Sequence, residues 1–293
     1  MDSAGNVYVA DYGNNRIDRF NPTNFAGTFT SFGSLGAGSG QFHDPTGVAV
    51  DSAGNVYVAD DSNFRIDRFN PANLAGTFTT FGSAGQGSGQ FNPPRGITLD
   101  ISGNVYVSDF HNDRIDRFNP SDFTGTFTSF GSSGVGSGKF DQPNGVAVDS
   151  AGNVYVADTV NNRIVRFNPA DFAGTFTSFG SFGTGSGQFY FPWGVTTDIS
   201  GNVYVADRNN NRIVIFNSAD FAGTFTTFGS SGSGNGQFSS PSDLTLDSAG
   251  NLYVADTSNN RIVKLTGAAP EPTSAALLLG SGALLTLRRR RRS

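Results

Sequence analysis

The sequence predicts an all-β fold, a six-bladed β-propeller, on three observations. Asn-Val-Tyr-Val-Ala-Asp or a near copy begins at Asn6, Asn55, Asn104, Asn153, Asn202 and Asn251, a constant step of 49 residues, and a period this long points to a radial or stacked array. Each step divides into four short runs filled by Val, Ile, Tyr, Phe and Thr, which suit a pleated surface. The 293 residues include 39 Gly and 28 Phe, so the apolar runs are short and punctuated, as in all-β chains. A solenoid of strands would have a shorter repeat.

The first run of a unit is Gly-Val-Ala-Val-Asp, as at 47–51, and the second is Asn-Val-Tyr-Val-Ala-Asp, as at 55–60. Asp51-Ser52-Ala53-Gly54-Asn55 joins them as a tight hairpin, its Asp accepting from the turn backbone and its Gly free to take a positive φ. The third run is Arg-Ile-Asp-Arg-Phe, as at 65–69, and Asn70-Pro71 opens the link to the fourth, Gly76–Gly82. A Gly-rich stretch and then Gln90-Phe91 cross to the next unit. Val-Tyr-Val does not alternate, which fits a strand buried on both faces between stacked blades. About 22 strands are expected, three each in the first and last blades, with helix confined to the C-terminal tail.

The unit resembles the NHL repeat. Pro45-x-Gly47-Val48-Ala49-Val50-Asp51, Gly54 to Asp60, Asn63-x-Arg65-Ile66, Phe81-Gly82 and Gly89-Gln90-Phe91 carry the likeness, which extends over about residues 2 to 265. It implies a propeller domain at 1–266, and propellers of this type commonly have six blades.

One rim is expected to carry Asp11, Asp60, Asp109, Asp158, Asp207 and Asp256, each followed five residues later by Arg16, Arg65, Arg114, Arg163, Arg212 and Arg261. Six carboxylates in a ring could hold a cation. The favoured reading is structural, each Asp and Arg pinning its own hairpin, and no metal or cofactor is assigned.

The repeat opens mid-blade. Met1-Asp2 stands where Val50-Asp51 stands in the next unit, and the last unit stops at Leu265. The first blade therefore lacks its inner strand and the last its outer one. The expectation is that an upstream segment resembling residues 27–50 provides both, behind a signal peptide, and that ring closure without it exposes strand edges.

Residues 267–293 form a separate tail. Pro270-Glu271-Pro272 precedes an uncharged run from Thr273 to Leu287, and Arg288, Arg289, Arg290, Arg291 and Arg292 follow. As a helix the run spans roughly 22 Å, short of the roughly 30 Å hydrocarbon core, but the Arg cluster is a cytoplasmic flank. The layout resembles the PEP-CTERM sorting signal. That resemblance implies a short transmembrane helix, transient insertion in the inner membrane, cleavage by an exosortase-like enzyme, and export to the surface or matrix of a Gram-negative bacterium. The alternative is a plain membrane anchor.

Charge and residue types narrow the chemistry. Outside the Arg run the chain holds 14 basic against 24 acidic residues, which disfavours nucleic acid as a partner. There is no Cys, only His43 and His111, and Glu271 is the one Glu. Lyases and lactonases on similar propellers use several His, a His–Glu pair, or a Glu-containing metal site. A lyase or hydrolase is therefore the least favoured reading, and a purely structural propeller is another. The favoured reading is a non-enzymatic module binding extracellular polysaccharide or a surface protein. Its candidate residues are where near-identical repeats differ on one face. Thr46, Arg95, Asn144, Trp193 and Ser242 follow the Pro, and Tyr12, Asp61, Phe110, Thr159, Arg208 and Thr257 follow the rim Asp. Tyr12, Arg95, Phe110, Trp193 and Arg208 are the ligand-binding candidates, since aromatic and Arg side chains make strong contacts.

Overall fold

The computed structural model describes residues 1–267 and 285–288. They form six antiparallel sheets, the blades of a propeller. Blade 2 is representative: an inner strand Pro45–Val50, then Val56–Asp60, Arg65–Phe69 and an outer strand Thr79–Phe81. Blades 3, 4, 5 and 6 begin at Pro94, Pro143, Pro192 and Pro241 in the same order. Blade 1 has three strands, Val7–Asp11, Arg16–Phe20 and Thr30–Phe32.

The hairpin turns form as their residues dictate. Asp51 Oδ1 accepts from the N–H groups of Ala53 and Asn55, both at 2.9 Å, and Gly54 sits at φ +80°. Tyr57 donates its hydroxyl to Asp51 Oδ2. Faces of successive blades then pack together. Val56, Val58 and Phe69 of blade 2 form one core with Ile17 of blade 1 and Phe42 of the intervening crossover. The crossover depends on glycine, as at Gly82, where a Cβ would lie 2.4 Å from the Phe91 ring and φ is +90°.

Near the axis the inner strands approach so closely that no side chain fits between them. A Cβ on Gly47 would lie 2.3 Å from the Arg95 carbonyl of the next blade, and one on Gly96 would lie 2.2 Å from that of Asn144. Gly145 and Gly194 face Trp193 and the Ser242–Asp243 backbone in the same way. Blade 6 has Asp243 at this position. Beyond it lies a cleft of about 110 Å³ between blades 6, 1 and 2, lined by Val7, Val9, Thr46, Val48, Asp243 and Tyr253 among others. It coincides with the place of an inner strand in blade 1. A strand set there with the sibling geometry would bring its backbone against the Asp243 side chain. Asp243 reaches solvent through the cleft yet is surrounded by protein, and this desolvation pushes its carboxyl up to about 6. Below the cleft, Val7 and Phe20 pack on Tyr253, closing the ring face to face.

The structure corrects the expectations at three places. Among the described residues there are 29 strands, six of the excess forming two-residue pairs in the crossovers, such as Ser83–Ala84 with Gln90–Phe91, and the seventh being an outer strand in blade 6. Helix is not confined to the tail: single turns at Phe25–Thr28, Leu74–Thr77, Phe123–Thr126, Phe172–Thr175 and Phe221–Thr224 take up the start of the fourth run. Their cause is local. Asn73, and Asn24, Asp122, Asp171 and Asp220 in the siblings, accept from the glycine N–H three residues on, an N-cap. Third, the outer strand of blade 6 is present. Leu285–Arg288 pairs with Arg261–Leu265, Arg288 opposite Arg261 and Leu285 opposite Lys264. The expected transmembrane helix over 273–287 is not seen: its last three residues lie in this strand, and residues 273–284, with Pro270, Glu271, Pro272 and Arg289–Arg292, lie outside the described residues. No helix among the described residues is long and apolar enough to cross a membrane.

Candidate binding site at the axial mouth

The six rim Asp residues are held by their own loops. Asp60 Oδ1 accepts the His43 N–H at 2.7 Å, and its Oδ2 accepts from Asn63 at 2.7 Å and from Arg65 Nε at 3.1 Å. Arg65 spends its other nitrogens on the carbonyls of Ala37 and Gln41 in the crossover. The motif repeats at Asp109–Arg114, Asp158–Arg163, Asp207–Arg212 and Asp256–Arg261, and blade 1 keeps the Asp11–Arg16 and Asp11–Asn14 contacts. In blades 2 to 6 these carboxylates thus join the blade to the crossover before it. Among the described residues no three His, Asp or Glu side chains are grouped to hold a metal ion.

The same end of the blades carries the variable residues. In the inner strand a register shift after the Pro turns the next residue, Arg95 in blade 3 and Trp193 in blade 5, toward the loop after the rim Asp. Each of blades 2 to 6 therefore presents a pair fifteen residues apart. In blade 6 the pair is Ser242 and Thr257, whose hydroxyls bond each other at 2.5 Å. In blade 4 Thr159 donates to the Pro192 carbonyl at 2.8 Å. The hydroxyls of these small residues satisfy one another or the neighbouring backbone.

Blades 3 and 5 carry large pairs instead. The Arg95 guanidinium lies 4.1 Å from the Phe110 ring centroid, and Arg208 lies 4.0 Å from Trp193. Arg95 also approaches Trp193, at 5.8 Å. Phe110, Arg95, Trp193 and Arg208 thus form one stack that passes over the small residues of blade 4. Four of the five candidates from the sequence meet here. Tyr12 stands apart in blade 1, 53 % exposed, near Asp44 and Asp61, and burial with these charges raises its pKa.

Sequence reasoning left Asp61 and Asn144 out of the candidate set. Asp61 Oδ2 lies 3.2 Å from Arg95 Nε, close but without hydrogen-bond alignment. Burial raises the Asp61 pKa and Arg95 opposes the shift. Arg208 makes no ion pair among the described residues, and its Nε is buried without a partner. Its pKa is lowered by burial and then by the like charge of Arg95. Asn144, 5 % exposed, leaves Nδ2 without an acceptor. The signal for both missed residues was position: each occupies one of the variable sites, but neither is aromatic or basic.

A family model described as the NHL repeat matches residues 42–69, 140–167, 189–216 and 238–265, so blades 2, 4, 5 and 6 carry matched NHL repeats. No curated protein matches the chain. Solved structures share the fold. Virginiamycin B lyase from Staphylococcus aureus, a catalytically inactive form with quinupristin, is 20% identical with a TM-score of 0.63, over 92% of this chain and 80% of that one. A nidogen/laminin complex contains a chain 21% identical with a TM-score of 0.67, over 89% and 88%. A gluconolactonase from Xanthomonas campestris is 18% identical with a TM-score of 0.61, over 85% and 78%. Enzymes and non-enzymes stand side by side among these neighbours, and the likeness is one of fold.

Proposed function

We propose that this six-bladed NHL-repeat propeller is a non-enzymatic binding module that engages a glycan or protein ligand at the axial mouth of one face. The observation that carries the reading is the stack of Phe110, Arg95, Trp193 and Arg208. At this ring blades 4 and 6 instead carry hydroxyls that bond one another or the neighbouring backbone. Where the scaffold needs only Ser, Thr or Asn, blades 3 and 5 spend large side chains of the kind that dominate recognition surfaces. The non-enzymatic part rests on residue types: the repeats contain no Glu, and His43 and His111 fall at non-equivalent positions. The Pro-Glu-Pro motif and Arg cluster of the tail support export to a Gram-negative surface or matrix through an exosortase-like enzyme. The test is a glycan and surface-protein array probed with the purified propeller and its Trp193→Ala variant. Binding that the variant loses while keeping its fold supports the reading. No binding, or binding indifferent to Trp193, rejects it.

A further inference from the structure

We propose that the group read at the axial mouth is an anion, a carboxylate such as that of a uronic acid, held by Arg208 with Arg95 and Asn144 beside it. This rests on the binding reading above and names the chemistry of the ligand. Three features of the site point the same way.

The first is an uncompensated cation. The rim Arg residues each contact a rim Asp, and Arg95 has Asp61. Arg208 has no acidic partner among the described residues, although it is about half-enclosed and close enough to Arg95 to be disfavoured by its charge. Two guanidinium groups over one indole ring, with one carboxylate between them, leave a positive charge partly withdrawn from water. Such a charge is costly until it is paired.

The second is a set of idle donors. Arg95 Nε, Arg208 Nε and Asn144 Nδ2 are buried and donate to nothing. They belong to three consecutive blades whose inner strands touch: the Gly96 position faces the Asn144 carbonyl, and Gly145 faces that of Trp193. All three idle groups are donors, so they call for an acceptor, and guanidinium groups favour a planar carboxylate.

The third is that Trp193 is already covered. With Arg208 at 4.0 Å from its centroid, one face of the indole is occupied by a cation and is closed to the stacking that a neutral sugar would use. The ring holds the guanidinium in place. A long polyanion would need more free cations than this end offers, since the six rim Arg residues are already paired with the rim Asp residues. A single carboxylate meets the donors without facing the whole ring.

Trp193 is the one Trp in the chain, so its fluorescence reports on the site directly. The experiment titrates the full propeller with glucuronate and, separately, with glucose at constant ionic strength, and reads Trp193 emission. The expected result is saturable change with glucuronate alone. Arg208→Gln should weaken the response by about tenfold or more, the size of a charged hydrogen bond. Asp61→Asn should strengthen it, because it removes the internal competitor for Arg95. Circular dichroism confirms that each variant is folded, and the opposite sign of the two effects separates recognition from damage. An equal response to glucose, no response to glucuronate, or no change in Arg208→Gln overturns the proposal. Array binding of neutral ligands that Trp193→Ala abolishes would leave the binding reading standing while this one falls.

Discussion

Blades 1–3 and blades 4–6 solve the same packing problem differently. In the middle of the third strand, blades 1, 2 and 3 have Asp18, Asp67 and Asp116, where blades 4, 5 and 6 have Val165, Val214 and Val263. The register is shared: Val58 opposite Asp67 corresponds to Val205 opposite Val214. Asp67 and Asp116 are as fully buried as the valines. The difference is felt at the rim Arg. In the valine blades Arg163, Arg212 and Arg261 sit 2.6, 2.7 and 2.6 Å from a single Asp. In blades 2 and 3 the Arg is shared, Arg65 at 3.1 Å from Asp60 and 2.9 Å from Asp67, and Arg114 at 3.0 Å from both Asp109 and Asp116. One cation drawn between two carboxylates approaches neither as closely. Burial pushes Asp67 up to about 9, helped by the adjacent Asp60, and pushes Asp116 in the same direction. A proton on Asp67 also gives it a donor toward Asp60. The acid half therefore uses one carboxylate and one carboxylic acid where the valine half uses one carboxylate and a methyl pair. A buried ion pair with a surplus carboxyl is a poorer stabiliser than a packed side chain.

The comparison can be broken most directly by moving the acid. Val214→Asp recreates the arrangement of blade 2 in blade 5, with Thr227 opposite as Thr80 is opposite Asp67. We expect a loss of about 3 kcal/mol at neutral pH, the order for a buried, poorly satisfied carboxyl, read as a lower urea midpoint. A neutral outcome would show that the two halves are equivalent after all. The reverse change, Asp67→Val, should stabilise by about 1–4 kcal/mol near pH 8, and unchanged stability would mean that Arg65 compensates both carboxyls.

Acidity sharpens the same contrast. The folded pKa of Asp67 lies above its unfolded value, so the folded state holds a proton that the unfolded chain releases. Stability from this group is full below about pH 4 and declines as pH rises toward about 9. Urea midpoints measured from pH 5 to pH 9 should fall in the wild type and flatten in Asp67→Val. A parallel slope in both would sink the assignment. The smallest effect belongs to Asp18→Val, within about 1 kcal/mol, because Asp18 is less enclosed than Asp67 and Asp116 and, unlike Asp67, accepts from a serine hydroxyl, that of Ser31 at 2.6 Å. Thermal melting of that variant provides the check.

Much of this was legible in the residues. The constant step of Asn-Val-Tyr-Val-Ala-Asp numbers the blades, and the Asp-to-Gly turns place their hairpins. The one-turn helices were also written there, as Asn or Asp three residues before Gly, but Thr and Phe on either side read as strand. The outer strand of blade 6 was hidden because Leu285–Leu287 belong to an apolar run whose hydropathy suits a membrane as well as a sheet edge. At the axial mouth, differences between near-identical repeats pointed to Arg95, Phe110, Trp193 and Arg208. That Arg95 reaches across blade 4 to Trp193 depends on three-dimensional curvature, which no spacing encodes. The split between Asp67 and Val214 is visible in the letters, whereas its energetic meaning appears only once both are known to be buried.

Finally, the glycines at 47, 96, 145 and 194 admit the neighbouring backbone, and Asp243 marks the one joint where a side chain stands in that place. A loop of interlocked wedges with one unlike joint has a mechanical starting point. Pulled by its two ends, the ring should part first between Tyr253 and Val7, where contact is between faces alone, and open into an arc with every sheet intact. Only then should blades peel away singly, each 49-residue step releasing about 170 Å of extended chain. A force–extension trace would show a short opening event followed by near-equal increments, whereas a first event as long as a whole blade would mean that the seam is no weaker than the joints beside it.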